Sequence, residues 1–220
     1  MISEIKVENP KKLSGLNLLC ISASNRINAI ETNSYLKCKL VLDEAGKYIS
    51  DMQSEIIELQ KHSLNPCIDC SMCSDSRRCG IEDDFNFIYE KIIACDVLFI
   101  VAPHYALIPA KLVMLLERMG QIVSYRRYKD KSYQGETYGI KTAVITHGAT
   151  AVNEAAQKRK KQNLNDPLAS NLYHCSQFNI IPFNDEWDTG ICVQPIEKNQ
   201  DGETIIRINE YVRRVINSFL

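Results

Sequence analysis

The sequence predicts an α/β protein with one doubly wound, five-stranded parallel sheet in the order 2-1-3-4-5, forming a single domain over residues 1–220. Three observations predict it. Short apolar runs alternate along the chain with segments of helical period, and strand-helix-strand succession implies right-handed crossovers that cover both faces of a sheet. The run VLFIVAP, Val97 to Pro103, is apolar without alternation, as a central strand covered on both faces must be. No linker composition or internal repeat divides the 220 residues, a length that suits one well-buried core. In such sheets ligands bind beyond the carboxyl ends of the strands, where the strand order reverses.

Each element follows from local pattern. Leu16 to Ser22, LNLLCIS, comes after a Ser-Gly turn and reads as the first buried strand. Beyond a polar loop, Leu36, Leu40 and Val41 keep helical spacing, with Thr32 or Asn33 as the cap and Gly46 as the stop. The second strand spans about Ser54 to Leu59. A cysteine-bearing loop at 62–82 follows, and then Phe85, Ile88 and Ile92 share one helix face. Val97 to Pro103 is the third strand. A helix starting near Pro109 is expected to stop around Gly120 or just beyond. IKTAVITHGA is the fourth strand, breaking at His147-Gly148. A helix from about Asn153 to His174, interrupted at Asp166-Pro167, leads to FNIIPF as the fifth strand, and INEYVRRVINSFL closes as an amphipathic helix.

Composition excludes several functions. With 26 Lys and Arg against 27 Asp and Glu there is no global field for nucleic acid or an anionic membrane. The basic cluster at 157–163 is short, lacks interleaved aromatics and reads as a solvated helix face. No run approaches the roughly 18 apolar residues of a membrane span. The first fifteen residues lack the order of a secretory signal, so a cytoplasmic location is expected. Thiols stay reduced there, and nine cysteines in such a chain suggest metal or redox chemistry before structural disulfides.

Three loops should meet at the point where strand order reverses. The first offers Ser22, Ser24, Asn25, Arg26, Thr32, Asn33 and Ser34 before a helix, where free N–H groups and the helix dipole favour an anion such as phosphate. It carries no glycine-rich dinucleotide fingerprint. The third-strand loop presents Pro103, His104, Tyr105 and Ala106, with His104 and Tyr105 able to set a flat or hydrogen-bonding group against a ring. After the fourth strand, Thr146, His147 and Gly148 supply polar groups and a place where backbone can approach a ligand.

Cys67, Cys70, Cys73 and Cys79 read as C-x2-C-x2-C-x5-C, four of the nine cysteines in thirteen positions. Consecutive x2 spacings let thiolates on a tight turn point at one centre while the longer gap returns the fourth. A cubane iron-sulfur cluster, zinc and unmetallated thiols all remain open on spacing alone. Arg77 and Arg78 stand ready either to offset the site's negative charge or to pair with Glu82-Asp83-Asp84. Most of the other five cysteines, at 20, 38, 95, 175 and 192, are expected to be small core hydrophobes, and none is assigned a role.

Together, the Ser-x-Ser-x-Arg loop, PCIDCSMCSDSRRCGIEDD and DVLFIVAPHYALIPAKLVMLLERM resemble the iron-sulfur flavoproteins and the wider NADPH-dependent FMN reductase-like proteins, over about residues 16–119. The resemblance implies a flavodoxin-like fold with FMN at the switch point and a four-iron four-sulfur cluster nearby. It implies that Ser22, Ser24, Arg26, Thr32, Asn33 and Ser34 hold the FMN phosphate. Pro103, His104, Tyr105 and Ala106 would line the isoalloxazine, with Thr146, His147 and Gly148 closing its other side and the four cysteines ligating the cluster. The family's first loop commonly begins Gly-Ser-Pro-Arg where this chain has Ser-Ala-Ser-Asn-Arg, and the gap from Arg26 to Asn33 is longer.

The leading expectation is therefore an FMN-dependent electron-transfer protein with a cubane cluster, acting with a small-molecule acceptor or ferredoxin-like donor as a homodimer or homotetramer. A cluster-free NAD(P)H-dependent FMN or quinone reductase is the alternative within enzymes; a zinc-stabilised binding module is the alternative outside them. No residue is singled out as catalytic.

Overall fold

The computed structural model describes residues 13–27, 30–76, 78–104, 108–148, 153–184, 189–196 and 202–220. Its main sheet is built from β2 (Asn17–Ser22), β4 (Gln53–Glu58), β5 (Val97–Pro103), β6 (Lys141–His147) and β7 (Asn179–Ile180), in the order β4-β2-β5-β6-β7 with every pairing parallel. β8 (Ile191–Val193) also pairs with β6, beyond β7 along the same edge. Two short strands, β1 (Leu13–Ser14) and β3 (Ile49–Ser50), form a separate parallel pair at the base of the molecule's first crossover.

Among the described residues, six α-helices flank these strands: α1 (Asn33–Ala45), α2 (Phe85–Ile93), α3 (Ala110–Lys129), α4 (Glu154–Lys160), α5 (Asp166–His174) and α6 (Gly202–Asn217). Side chains alternate across a strand, so β2 and β5 feed two cores. Leu19, Ile21, Leu98 and Ile100 meet α2, α3 and α5 on one face, whereas Leu18, Cys20, Val97, Phe99 and Val101 meet α1 and α6 on the other. All seven residues of β5 are buried, in accord with its uninterrupted apolar pattern.

Several expectations are corrected. FNIIPF contributes only two paired residues, and the edge is completed eleven residues later by β8. Their split is enforced by Gly190, where a Cβ would lie 2.3 Å from the Val144 carbonyl oxygen, so only glycine lets the chain come in against β6. α3 does not stop at Gly120 but continues to Lys129. Packing explains this: a Cβ at Gly120 would lie 3.3 Å from Cys175 Cβ, so the glycine admits the end of α5 and offsets its poor helix propensity. The interruption expected at Asp166-Pro167 falls one turn earlier, as a π-turn over Lys161–Asn165, and Pro167 starts α5 instead. α6 begins six residues before the expected closing helix.

Candidate functional site

Parallel pairing brings the carboxyl ends of β2, β5 and β6 side by side, with Ser22 opposite Val101 and Pro103 opposite His147. The order reverses here, since β2 leads through α1 to β4 on one side while β5 lies on the other. Thr32 caps α1, its hydroxyl accepting from the Tyr35 N–H at 3.2 Å. Ser34, fully buried in the first turn, meets the His147 ring with Oγ 2.8 Å from Nε2, although the two are 113 residues apart. The His104 N–H donates to the His147 carbonyl at 2.7 Å, which ties the third-strand exit to the fourth. Arg26 N–H donates to Ser24 Oγ at 3.3 Å and curls the first loop back on itself.

Two groups in this first loop are left over. The Ser22 hydroxyl and the Asn25 side-chain oxygen are buried and have no hydrogen-bond partner. Burying such atoms without partners is costly, so their place beside the start of α1 fits a polar ligand that would satisfy them. The sequence-predicted residues Ser22, Ser24, Asn25, Arg26, Thr32, Asn33, Ser34, Pro103, His104, Thr146, His147 and Gly148 all lie along these strand ends and loops, while Tyr105 and Ala106 lie outside the described residues. Sequence reasoning missed two participants. The Ile196 N–H donates to Asn33 Oδ1 at 2.5 Å, bringing the chain after β8 into the loop, and the buried Asn165 amide oxygen accepts from the Thr146 hydroxyl.

The cysteine segment leaves the carboxyl end of β4 and lies along α3. Lys111 donates to the carbonyls of Leu59 and Gln60, Glu117 accepts from the Cys67 N–H at 3.1 Å, the Tyr125 hydroxyl binds the Asp69 carboxylate and Lys129 pairs with Asp75. Asp69 and Ser71 adopt left-handed backbone at φ 53° and 60°, which bends the chain tightly between Cys67 and Cys73. Asn86, in the first turn of α2, holds Cys79 from both sides: its side chain accepts from the Cys79 N–H at 2.8 Å and donates to the Cys79 carbonyl at 2.9 Å.

As a result Cys67, Cys70, Cys73 and Cys79 line one narrow cavity of about 10 Å3 together with Arg118, Gln121 and Tyr125. Burial pushes the Cys73 thiol above its ordinary value, and the neighbouring thiols of Cys79, Cys67 and Cys70 push it further, because each negative sulfur disfavours the next. Among the described residues, no three His, Cys, Asp or Glu side chains already stand as a closed set of metal ligands. The four thiols share one space without converging on a point.

Among the described residues, the partners of the flanking charges are as follows. Arg78 pairs with Glu90 at 3.2 Å, Arg77 lies outside the described residues, and Asp83 of the acidic run is taken by Arg118 of α3 at 2.6 Å. The signal for Arg118 was present in the sequence as a charge set among Leu115, Met119 and Ile122, on what is otherwise an apolar helix face. None of the nine cysteines is in a disulfide. Cys20, Cys38, Cys95 and Cys192 are core residues as expected, with burial pushing Cys95 up to about 12, but Cys175 is exposed at the end of α5. The residues of the basic cluster at 158, 159, 162 and 163 are exposed. No helix among the described residues is long and apolar enough to cross a membrane.

Comparison with known proteins agrees with this layout. The sequence model of the family described as NADPH-dependent FMN reductase matches residues 16–164. Over 82 residues the chain is 34% identical to an iron-sulfur flavoprotein of Methanocaldococcus jannaschii, a match covering 36% of this chain and 42% of that protein. It is also 34% identical over 67 residues to an iron-sulfur flavoprotein of Methanosarcina thermophila, covering 30% of this chain and 35% of that one. The matches thus span less than half the length of these curated relatives. A flavodoxin, WrbA-like protein from Agrobacterium tumefaciens superposes with a TM-score of 0.51 at 10% identity, over 93% of this chain and 97% of that one, which shows a shared fold.

Proposed function

The chain belongs to the NADPH-dependent FMN reductase family, and from that premise we propose that it is an FMN-dependent oxidoreductase whose four-cysteine segment holds a cubane iron-sulfur cluster. One observation carries the cluster: four thiols from a single short segment line a common cavity whose wall includes a buried guanidinium. An FMN held at the ends of β2, β5 and β6 would supply two-electron chemistry and a cluster on the cysteine segment one-electron chemistry.

The chain's own residues would bind and orient. Ser22, Ser24, Asn25, Arg26, Thr32, Asn33 and Ser34 would hold the FMN phosphate, a reading supported by the unpartnered Ser22 hydroxyl, which can donate to it. Pro103, His104, Tyr105 and Ala106 would lie along the ring, and Thr146, His147 and Gly148 would close its far side. Cys67, Cys70, Cys73 and Cys79 would ligate the cluster; among its described residues the segment is loop with a 3-10 turn at Met72–Ser74. A small-molecule acceptor, a ferredoxin-like donor and NAD(P)H are the proposed partners, in the reducing environment of the cytoplasm. A homodimer or homotetramer is the proposed assembly, supported by the open cavity of about 720 Å3 along α3 and α5, where Val113, Leu116 and Tyr128 collect.

The test is an absorption spectrum and iron assay on protein purified without oxygen, for the wild type and Cys70→Ala. Flavin bands over a broad absorbance that bleaches on reduction, with iron lost and flavin kept in Cys70→Ala, are the expected result. Full iron in Cys70→Ala would remove that cysteine from the ligand set. Flavin bands without iron in the wild type would favour the cluster-free NAD(P)H-dependent FMN or quinone reductase, the reading closest to the family description.

A further inference from the structure

Arg118 is about 1% exposed, and a guanidinium carries five N–H donors that all need acceptors when buried. Only one nitrogen is provided for: Nη1 donates to Asp83 Oδ2 at 2.6 Å and to the Asn65 carbonyl at 3.3 Å. The Phe85 ring lies 4.2 Å below the guanidinium carbon. Nε and Nη2 are buried with no hydrogen-bond partner, on a side chain that lines the same cavity as the four cysteines. Cys79 and Arg118 line the same cavity.

A structural clamp would need only the nitrogen that is already paired. Asp83 accepts from the backbone N–H of Asn65 at 2.8 Å as well as from Arg118, so Nη1 alone joins the two ends of the cysteine segment to α3. The side chain that carries the two remaining nitrogens lines a cavity shared with the four cysteines and with Asp69, Ser71, Ile81, Gln121 and Tyr125. Hydrogen bonds to the sulfurs and nearby charge are the levers by which a protein sets a cluster's potential.

Resting on the reading that the cysteines hold a cluster, we infer that Arg118 is a positioning residue for that sulfur centre, its Nε–H and Nη2–H groups donating to sulfur and raising the centre's reduction potential. The sign follows from charge. Reduction makes the centre more negative, so donors and a cation beside it stabilise the reduced form, while Asp83 partly cancels that effect.

The experiment is a potentiometric titration followed by electron paramagnetic resonance, on anaerobically purified, iron-assayed protein: wild type, Asp83→Asn, and Asp83→Asn with Arg118→Gln. Asp83→Asn uncovers the cation and is expected to move the midpoint to more positive values. The double variant, a neutral pair of similar shape, is expected to fall below Asp83→Asn by at least tenfold in the reduced-to-oxidised ratio at a given poise, about 59 mV for one electron. Equal midpoints in all three, with only thermal stability changed, would make Arg118 a clamp and overturn the inference. Should the double variant not fold, the sign of the Asp83→Asn shift decides the matter: positive supports it, zero or negative overturns it. Iron-free wild-type protein would overturn the cluster reading and this inference with it, whereas iron present with unmoved potentials overturns this inference alone.

Discussion

Asp83 and Arg118 face each other with about 1% of either side chain exposed, a setting in which a lost partner is far more costly than at the surface. Burial by itself would raise the Asp83 carboxyl, but Arg118 and the N–H groups of Phe85 and Asn65 together hold it below its ordinary value. Its folded-state pKa is thus the lower one. Its stabilisation is fully present above the unfolded value of about 3.9 and is lost as pH falls through the folded value. Wild-type unfolding free energy, measured by denaturant titration at a series of pH values, is expected to fall more steeply below about pH 4 than that of Asp83→Asn. Equal slopes would mean the pair is not formed. Asp83 was legible only as one of three acids in a row, because nothing in EDD marks which carboxylate turns inward. Arg118 supplies that choice from 35 residues away.

At the scale of elements, the pairing of β8 with β6 depends on one position. Gly190→Ala would drive a methyl group to 2.3 Å from the Val144 carbonyl oxygen, where backbone cannot yield as a flexible side chain would. A loss of about 1–3 kcal/mol in unfolding free energy is expected, the range for overpacking a filled site. An unchanged denaturation midpoint would show that β8 does not pack as described. The helices and strands with strong periodicity were legible: β5 matched its apolar run residue for residue, and the buried face of α2 carries Phe85, Ile88 and Ile92 as spaced. What failed was punctuation. Gly120 reads locally as a stop, yet it lies inside α3, where the end of α5 packs so closely that a Cβ would come within 3.3 Å of Cys175 Cβ. β7 and β8 failed for a related reason, since two or three paired residues are too few to show a period.

Across the whole molecule, the strand ends of β2, β5 and β6 gather loops from separate parts of the chain, so a ligand bound there links regions that otherwise meet only through the core. FMN binding the folded state alone should stabilise it by mass action, by about 2.7 kcal/mol when free FMN is 100 times its Kd. Thermal melts of flavin-depleted protein should rise in Tm with added FMN and not with riboflavin at equal concentration, if the first loop holds the phosphate; equal rises would move the phosphate elsewhere. The sequence by itself determined the alternation of strands and helices, the loops that follow the strands and the four-cysteine spacing, because period and spacing are local properties of the chain. Only the tertiary structure decided that α3 would wall the cysteines with Arg118 and Tyr125 and that His147 would meet Ser34. The reason is physical: a helix face or a loop carries its own pattern, but what it touches depends on which distant segment packs against it.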